Sequence, residues 1–421
     1  MKKILVLFAC LSIIILGAAC STTEMPDVTS QEDAALEINE QEPNNQPTED
    51  ATYKELDNAN YQILLYTVDD PYDEFYFSTK AILNKYYMNA FHYTIPEDFC
   101  ERSAELFAEN MVFIENNQIK AAIVDQYISG CDVLLSQIKK RYPGILCIVL
   151  TTKDIYDIID YADIVISVDA FNMGKKMVEH SKSIGAKTFV YYTFPSYQKY
   201  SNSSLFVLKQ YSEAFQEVCS EEGLRFVEIM DYSCLPNDNI DTQLVAYDVS
   251  QKINQYKGEV SFFVDYCTLQ GPIMATIRDF GGILAQPCHP SLYHGFQLAL
   301  GLYPYKELGN MSMDDFDPFN FDKQIEEIET TLREWESAGR FATWKVPFSL
   351  AATTAAIEYA KKYCEGNISG TDDLEAMREC FQKGMEILNS ADTGFELNQH
   401  PDYPNCFLFT EDYIVLQGNR E

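Results

Sequence analysis

From Tyr61 onward the chain repeats one pattern: a short run that is apolar at nearly every position, then a longer segment whose apolar residues recur at helical spacing. The short runs are 61–68 (YQILLYTV), 90–94, 121–124 (AAIV), 145–150 (ILCIVL), 164–168 (IVISV), 188–192, 226–230, 260–264 (VSFFV) and 283–285. A strand that is apolar on both faces has helices above and below it, which is the arrangement of a covered parallel sheet. The intervening segments suit that role. In 205–222, for example, Leu208, Tyr211, Phe215, Val218 and Cys219 lie on one helical stripe. Roughly ten strands exceed one comfortable doubly wound sheet, so an α/β fold with two doubly wound parallel-sheet lobes in series is expected. Past Pro290 the pattern changes. Helices dominate 291–388, and 406–416 (CFLFTEDYIVL) reads as a terminal hairpin. The expected division is a first lobe over 61–168, a second over 169–288, and an extension over 289–421 that crosses back and packs on the lobes.

The amino terminus has a different character. Met1-Lys2-Lys3 precedes an apolar stretch, 4–19, and then Cys20. A basic start, a short apolar run and small residues before a cut site make a secretory signal peptide over 1–19. The run is short for a membrane span of about 20 apolar residues. Leu16-Gly17-Ala18-Ala19-Cys20 resembles the bacterial lipobox, which implies lipidation (palmitate) of Cys20 and an anchored, extracytoplasmic protein. The usual Leu stands three before the Cys, where this chain has Gly17. Residues 20–60 are polar and acidic, and such a stretch cannot bury enough apolar surface to offset its ordering entropy. It is expected to be a disordered tether.

Formal charge is −33, and two units more negative once Lys2 and Lys3 leave. That field disfavours nucleic acid and anionic lipid as partners. Ten cysteines remain beyond Cys20, at irregular spacing and with no C-x-x-C or Cys/His cluster. A zinc site is therefore not expected. So many unpatterned thiols in an exported chain suggest buried free cysteines and an organism living without oxygen. Residues 311–317 lack the Gly and closing Glu of a calcium loop and read as an acidic connector.

Four stretches carry a family resemblance: His92-Tyr93-Thr94-Ile95-Pro96-Glu97-Asp98-Phe99, Lys120-Ala121-Ala122-Ile123-Val124-Asp125-Gln126, 185–195 (GAKTFVYYTFP), and Gln286-Pro287-Cys288-His289-Pro290-Ser291 leading to Gly295 and Ala299-Leu300-Gly301. They resemble the exported bacterial lipoprotein family DUF3798, in the same order over about 61–417. The resemblance implies a fold similar to type I periplasmic-binding proteins and an exported location, but no particular ligand. Relatives follow the Ser/Thr-Phe-Pro motif with Arg-His, whereas Ser196-Tyr197 stand here. If that pair touches ligand in relatives, this chain takes something less anionic or has lost binding.

In open α/β lobes ligands meet loops at the carboxyl ends of strands. Candidate binding residues at such ends are Asp70, Tyr72, His92, Asp125, Gln126, Tyr127, Asp169, Tyr192, Phe194, Tyr197, Asp265, Tyr266, His289 and Tyr293. The competing reading of each is a helix cap or turn, with Asp69, Asp70 and Asp169 foremost, or core packing for the tyrosines. No Gly-rich phosphate loop, nucleophile elbow or metal signature is present. The chain is therefore expected to be no enzyme and to use no cofactor or metal. The function expected is capture of a small solute between two lobes for an ABC-type importer and its permease. The alternatives are a ligand sensor for a membrane receptor, and a surface scaffold with a degenerate cleft.

Overall fold

The computed structural model describes residues 62–417 except 71–72, 97, 126–127, 152–154, 194–203, 230–241, 266, 288–290, 293–294, 303–317 and 369. The leader, Cys20, the tether and the acidic connector lie outside the described residues. The first sheet has seven strands in the order β11-β12-β5-β4-β3-β1-β2. They are β1 (Ile63–Val68), β2 (Phe91–Ile95), β3 (Ala121–Asp125), β4 (Leu146–Thr151), β5 (Ile164–Val168), β11 (Phe395–Gln399) and β12 (Cys406–Glu411). All pairings in it are parallel except β11 with β12.

The period-two alternation sends side chains of each strand to two different cores. Leu64, Tyr66, Ala122, Val124, Cys147, Val149 and Val165 join helices α2 (Phe99–Asn117) and α3 (Cys131–Arg141) on one face. Ile63, Leu65, Ile123, Ile148, Ile166 and Phe409 face the other way. There they meet α1 (Glu74–Lys85) and two helices from late in the chain, α10 (Phe348–Cys364) and α11 (Leu374–Ile387). From Phe348 to Ala360 every residue of α10 is buried. A helix apolar or small on all sides belongs inside a protein, and its Ala and Thr residues let it approach both sheet and helices. Several of its polar groups are paired: Ser349 Oγ bonds Ser78 Oγ at 2.8 Å and donates to Glu74 at 2.8 Å, and Glu358 accepts from Tyr87 Oη at 2.7 Å.

The second sheet is parallel, in the order β7-β6-β8-β9, with β6 (Thr188–Tyr192), β7 (Arg225–Ile229), β8 (Val260–Val264) and β9 (Ile283–Leu284). Helices α4 (Ala170–Ser183) and α5 (Ser204–Glu222) pack together, as do α6 (Thr242–Gln255) and α7 (Cys267–Phe280). Gly174 allows the first contact, since a Cβ there would stand 2.8 Å from Ala214 Cβ. Short α8 (Phe296–Leu300) and then α9 (Phe321–Glu334) follow.

The expectation of two doubly wound lobes with a helical extension returning to the first is met. The ending differs from the sequence reading. The run 406–416 is not a hairpin on itself. Its first half is β12, inserted parallel to β5 and paired antiparallel with β11. Its second half, β13 (Tyr413–Val415), pairs antiparallel with β10 (Ala342–Trp344). The two halves part at Asp412, where the chain leaves the first sheet. Both β10 and β11 fall within or beyond a region that the sequence reading gave to helices. Each is short and half polar or isolated, so local alternation is too brief to announce it.

Candidate ligand cleft and its hinge

Three segments cross between the lobes. The first is Val168-Asp169-Ala170, where β5 passes straight into α4. The second is Trp344-Lys345-Val346-Pro347, between β10 and α10. The third is Glu411-Asp412-Tyr413, between β12 and β13. The first sheet thus gives up two crossings at the carboxyl ends of its strands. The second sheet meets them with its carboxyl ends too. Gln286, two residues past β9, accepts from the Tyr413 hydroxyl and donates Nε2 to Met173 Sδ at 3.6 Å in the first turn of α4. Since β6 and β8 run parallel to β9, their carboxyl ends lie on the same side. The carboxyl ends of both sheets therefore face the hinge, which is where ligands bind in folds of this kind.

The candidate residues distribute unevenly over that geometry. Asp70 follows β1 and is exposed, and its backbone carbonyl accepts from the Asp73 backbone N–H at 3.0 Å. Asp125 is the last residue of β3 and 2% exposed. Asp265 follows β8 and accepts from the buried Tyr191 hydroxyl at 2.7 Å. These three stand at the carboxyl ends, one set on each lobe. Asp169 stands at the first crossing but works as the cap of α4: its carboxylate accepts from Asn172 N at 3.1 Å and Asn172 Nδ2 at 2.7 Å, and Asn398 Nδ2 reaches it at 3.4 Å. It holds a crossing in place. Neither Asp69 nor Asp70 caps α1; Asp73 does, accepting from Tyr76 N at 2.9 Å.

Two candidates point away from the cleft. His92 is the second residue of β2, not its closing one, and pairs with Leu65 inside the sheet. Its Nε2 bonds Thr67 Oγ1 at 2.8 Å and its ring lies 5.3 Å from that of Tyr76 on α1. Burial, with a smaller contribution from Lys80, lowers its pKa to about 4, so it is neutral near pH 7. Tyr192 is fully buried in the second lobe, donating to Asp248 at 2.7 Å on α6, where Lys252 also pairs with Asp248 at 2.7 Å. Core packing accounts for both. Tyr72, Gln126, Tyr127, Phe194, Tyr197, Tyr266, His289 and Tyr293 lie outside the described residues.

Sequence reasoning missed the hinge itself. Glu411 is fully buried, and its Oε1 accepts from Lys345 N at 2.7 Å and Val346 N at 3.0 Å, tying the third crossing to the second. Lys176 of α4 reaches Asp412 and Glu396 of β11, both at 2.9 Å. The Tyr413 ring stacks on His180 of α4 at 5.7 Å between centroids. One signal was available: the acidic pair Glu411-Asp412 splits an otherwise apolar run, as a chain that changes partners there must.

Two parallel-sheet lobes with facing carboxyl ends and three crossings define the type I periplasmic-binding-protein fold class. Residues 62–342 match the family described as protein of unknown function, DUF3798, and the chain belongs to that family. It is 29% identical over 136 residues to an uncharacterized protein of Treponema pallidum, a match covering 32% of this chain and 59% of that protein. The chain thus spans about three fifths of that relative's length. A crystal structure from Clostridium difficile 630 that carries a transcriptional-regulator name superposes with a TM-score of 0.68 at 18% identity, covering 84% of this chain and 98% of that one. This supports the fold alone. A sugar ABC transporter protein from Actinomyces odontolyticus matches at TM-score 0.45 and 8% identity, over 75% of this chain and 87% of that one, too remote to carry an argument about ligand.

Proposed function

We propose that the chain is an extracytoplasmic lipoprotein, anchored through Cys20, that captures a small solute between its lobes and hands it to an ABC-type importer without chemical change. The observation that carries this reading is the convergence of both sheets' carboxyl ends on the three crossings. A solute seated there touches both lobes and draws them together by its greater affinity for the closed state. Asp69, Asp70 and Asp125 on one lobe and Asp265 on the other bring negative potential to that region, which disfavours an anion and suits a neutral or cationic solute. A lipid anchor would hold the protein close to a membrane partner and raise its effective concentration there.

The test is a thermal-shift screen of neutral and cationic metabolites on the mature chain, joined to mass spectrometry of small molecules that co-purify. A solute at a hundredfold excess over its Kd adds about 2.7 kcal/mol to the folded state. Binding that Asp125→Asn or Asp265→Asn weakens roughly ten-fold or more, with folding retained, supports the reading. Absence of any hit across the screen favours a scaffold with a degenerate cleft. A sensor is separated from an importer subunit by its partner: co-precipitation with a receptor kinase instead of a permease.

A further inference from the structure

We propose that Glu411 is a proton-operated latch in the hinge: while neutral, its carboxyl holds two of the three lobe-crossing segments together, and on ionising it lets them part. The inference rests on the lobes moving about these crossings, as the binding reading requires. The geometry is specific. One buried carboxyl oxygen at the end of β12 takes both N–H groups of successive residues in the neighbouring crossing. No other side chain among the described residues bonds these two amides. The second oxygen, Oε2, is buried with no hydrogen-bond partner among the described residues.

A neutral acid fits that setting at lower cost, because its carbonyl oxygen serves both donors and only an O–H is left without an acceptor. A full charge does not, since half of the carboxylate would remain unsolvated in a dry site. Burial accordingly pushes this carboxyl up to about 8, against the two backbone donors and Lys345, which act in the lowering direction, and with Asp412, which adds to the rise. The surrounding charges do not rescue the ion. Lys345 Nζ points outward to Asp322 on α9 at 3.4 Å and Asp392 after α11 at 3.7 Å. Asp412 is neutralised by Lys176, which it shares with Glu396. On the β13 side stands Tyr413, whose own buried hydroxyl stays protonated well beyond this range. Water entering between the crossings is the remaining way to solvate the charge, and it separates the strands that the neutral form joins.

The experiment uses the mature full chain with no solute added. Amide exchange protection at Lys345 and Val346 is followed from pH 6.5 to 9.5, together with interlobe distances from spin-labelled residues introduced at exposed Val112 and Tyr247. The expected result is a fall in protection of roughly ten-fold per pH unit as the pH rises toward 8, levelling off above it, and an interlobe distance distribution that broadens over the same range. In Glu411→Gln, which keeps an acceptor oxygen and cannot ionise there, both responses are absent. Flat profiles in the unsubstituted chain overturn the latch, as does an unchanged response in Glu411→Gln. Should that variant not fold, the carboxyl carbon of Glu411 is titrated by NMR in the unsubstituted chain, and a midpoint differing from that of the distance change overturns the latch. A flat profile in a chain that binds a solute ends the latch and leaves the binding reading. A pH response in a chain for which no solute is found supports the latch and ends that reading.

Discussion

Single residues in this protein owe their roles to what surrounds them. His92 and Asp125 have equal claim to a site by residue type, yet one is sealed between Thr67 and Tyr76 and the other ends a strand at the cleft side. A buried histidine with a lowered pKa makes a testable contribution to pH dependence. In the unfolded chain it takes a proton near its ordinary 6.5, while in the folded chain it stays neutral until about 4. The unfolded state therefore binds more protons between those values, and stability should fall as pH drops from 6.5 toward 4. Denaturant midpoints across that window should fall less steeply in His92→Gln than in the unsubstituted chain. The cysteines behave similarly. Burial pushes the thiols of Cys147, Cys219, Cys380 and Cys406 up to about 12. They should resist a thiol reagent in the native protein at pH 8, because the thiolate is the reactive form. After unfolding without reductant, at least the six free cysteines, Cys131, Cys147, Cys219, Cys364, Cys380 and Cys406, should react. A smaller count would mean that some pair in solution.

At the scale of elements, close approach decides more than propensity. Helices α4 and α5 meet across Gly174, with Ala214 opposite. Gly174→Val should drive the helices apart and cost about 1–3 kcal/mol, the usual range for overpacking, read as a lower urea midpoint with an unchanged slope. Helix α10 lies in the stretch that the sequence gives to helices, and its uniform burial follows from its small, apolar composition. The strand β11 was not visible, because Phe395-Glu396-Leu397-Asn398-Gln399 alternates for too few residues to stand out from a loop. Its register exists only because β12 lies beside it. The same holds for β10, three residues long and strand-like only against β13.

For the whole molecule, the last residues matter as much as the first. β12 is an interior strand of the first sheet, paired on both sides, and β13 completes the hinge ribbon. A chain ending at Pro404 should therefore fail to fold the first lobe, seen as loss of the cooperative thermal transition; a retained transition would show that the extension merely decorates a complete sheet. The opposite is expected at the other end. Deletion of 23–50 should leave the melting temperature within error if that polar stretch is a tether, since it would remove no packed surface. Cys20→Ser should release the protein from membranes, and retained membrane association would point to an uncleaved anchor.

Repetition of apolar runs and amphipathic segments was enough to determine, from the sequence alone, that this chain builds covered parallel sheets in two lobes, because period and burial are properties of each segment by itself. The family resemblance was equally legible, since it resides in contiguous motifs. Which carboxyl-end residues face the cleft depended on the direction each side chain takes from its strand, and that emerged only when His92 and Tyr192 found partners inside their lobes. The hinge was decided entirely by tertiary structure. Glu411 and Lys345 are 66 residues apart, and nothing local to either announces the other; only the return of β12 to the first sheet brings a buried carboxyl onto the backbone of the neighbouring crossing.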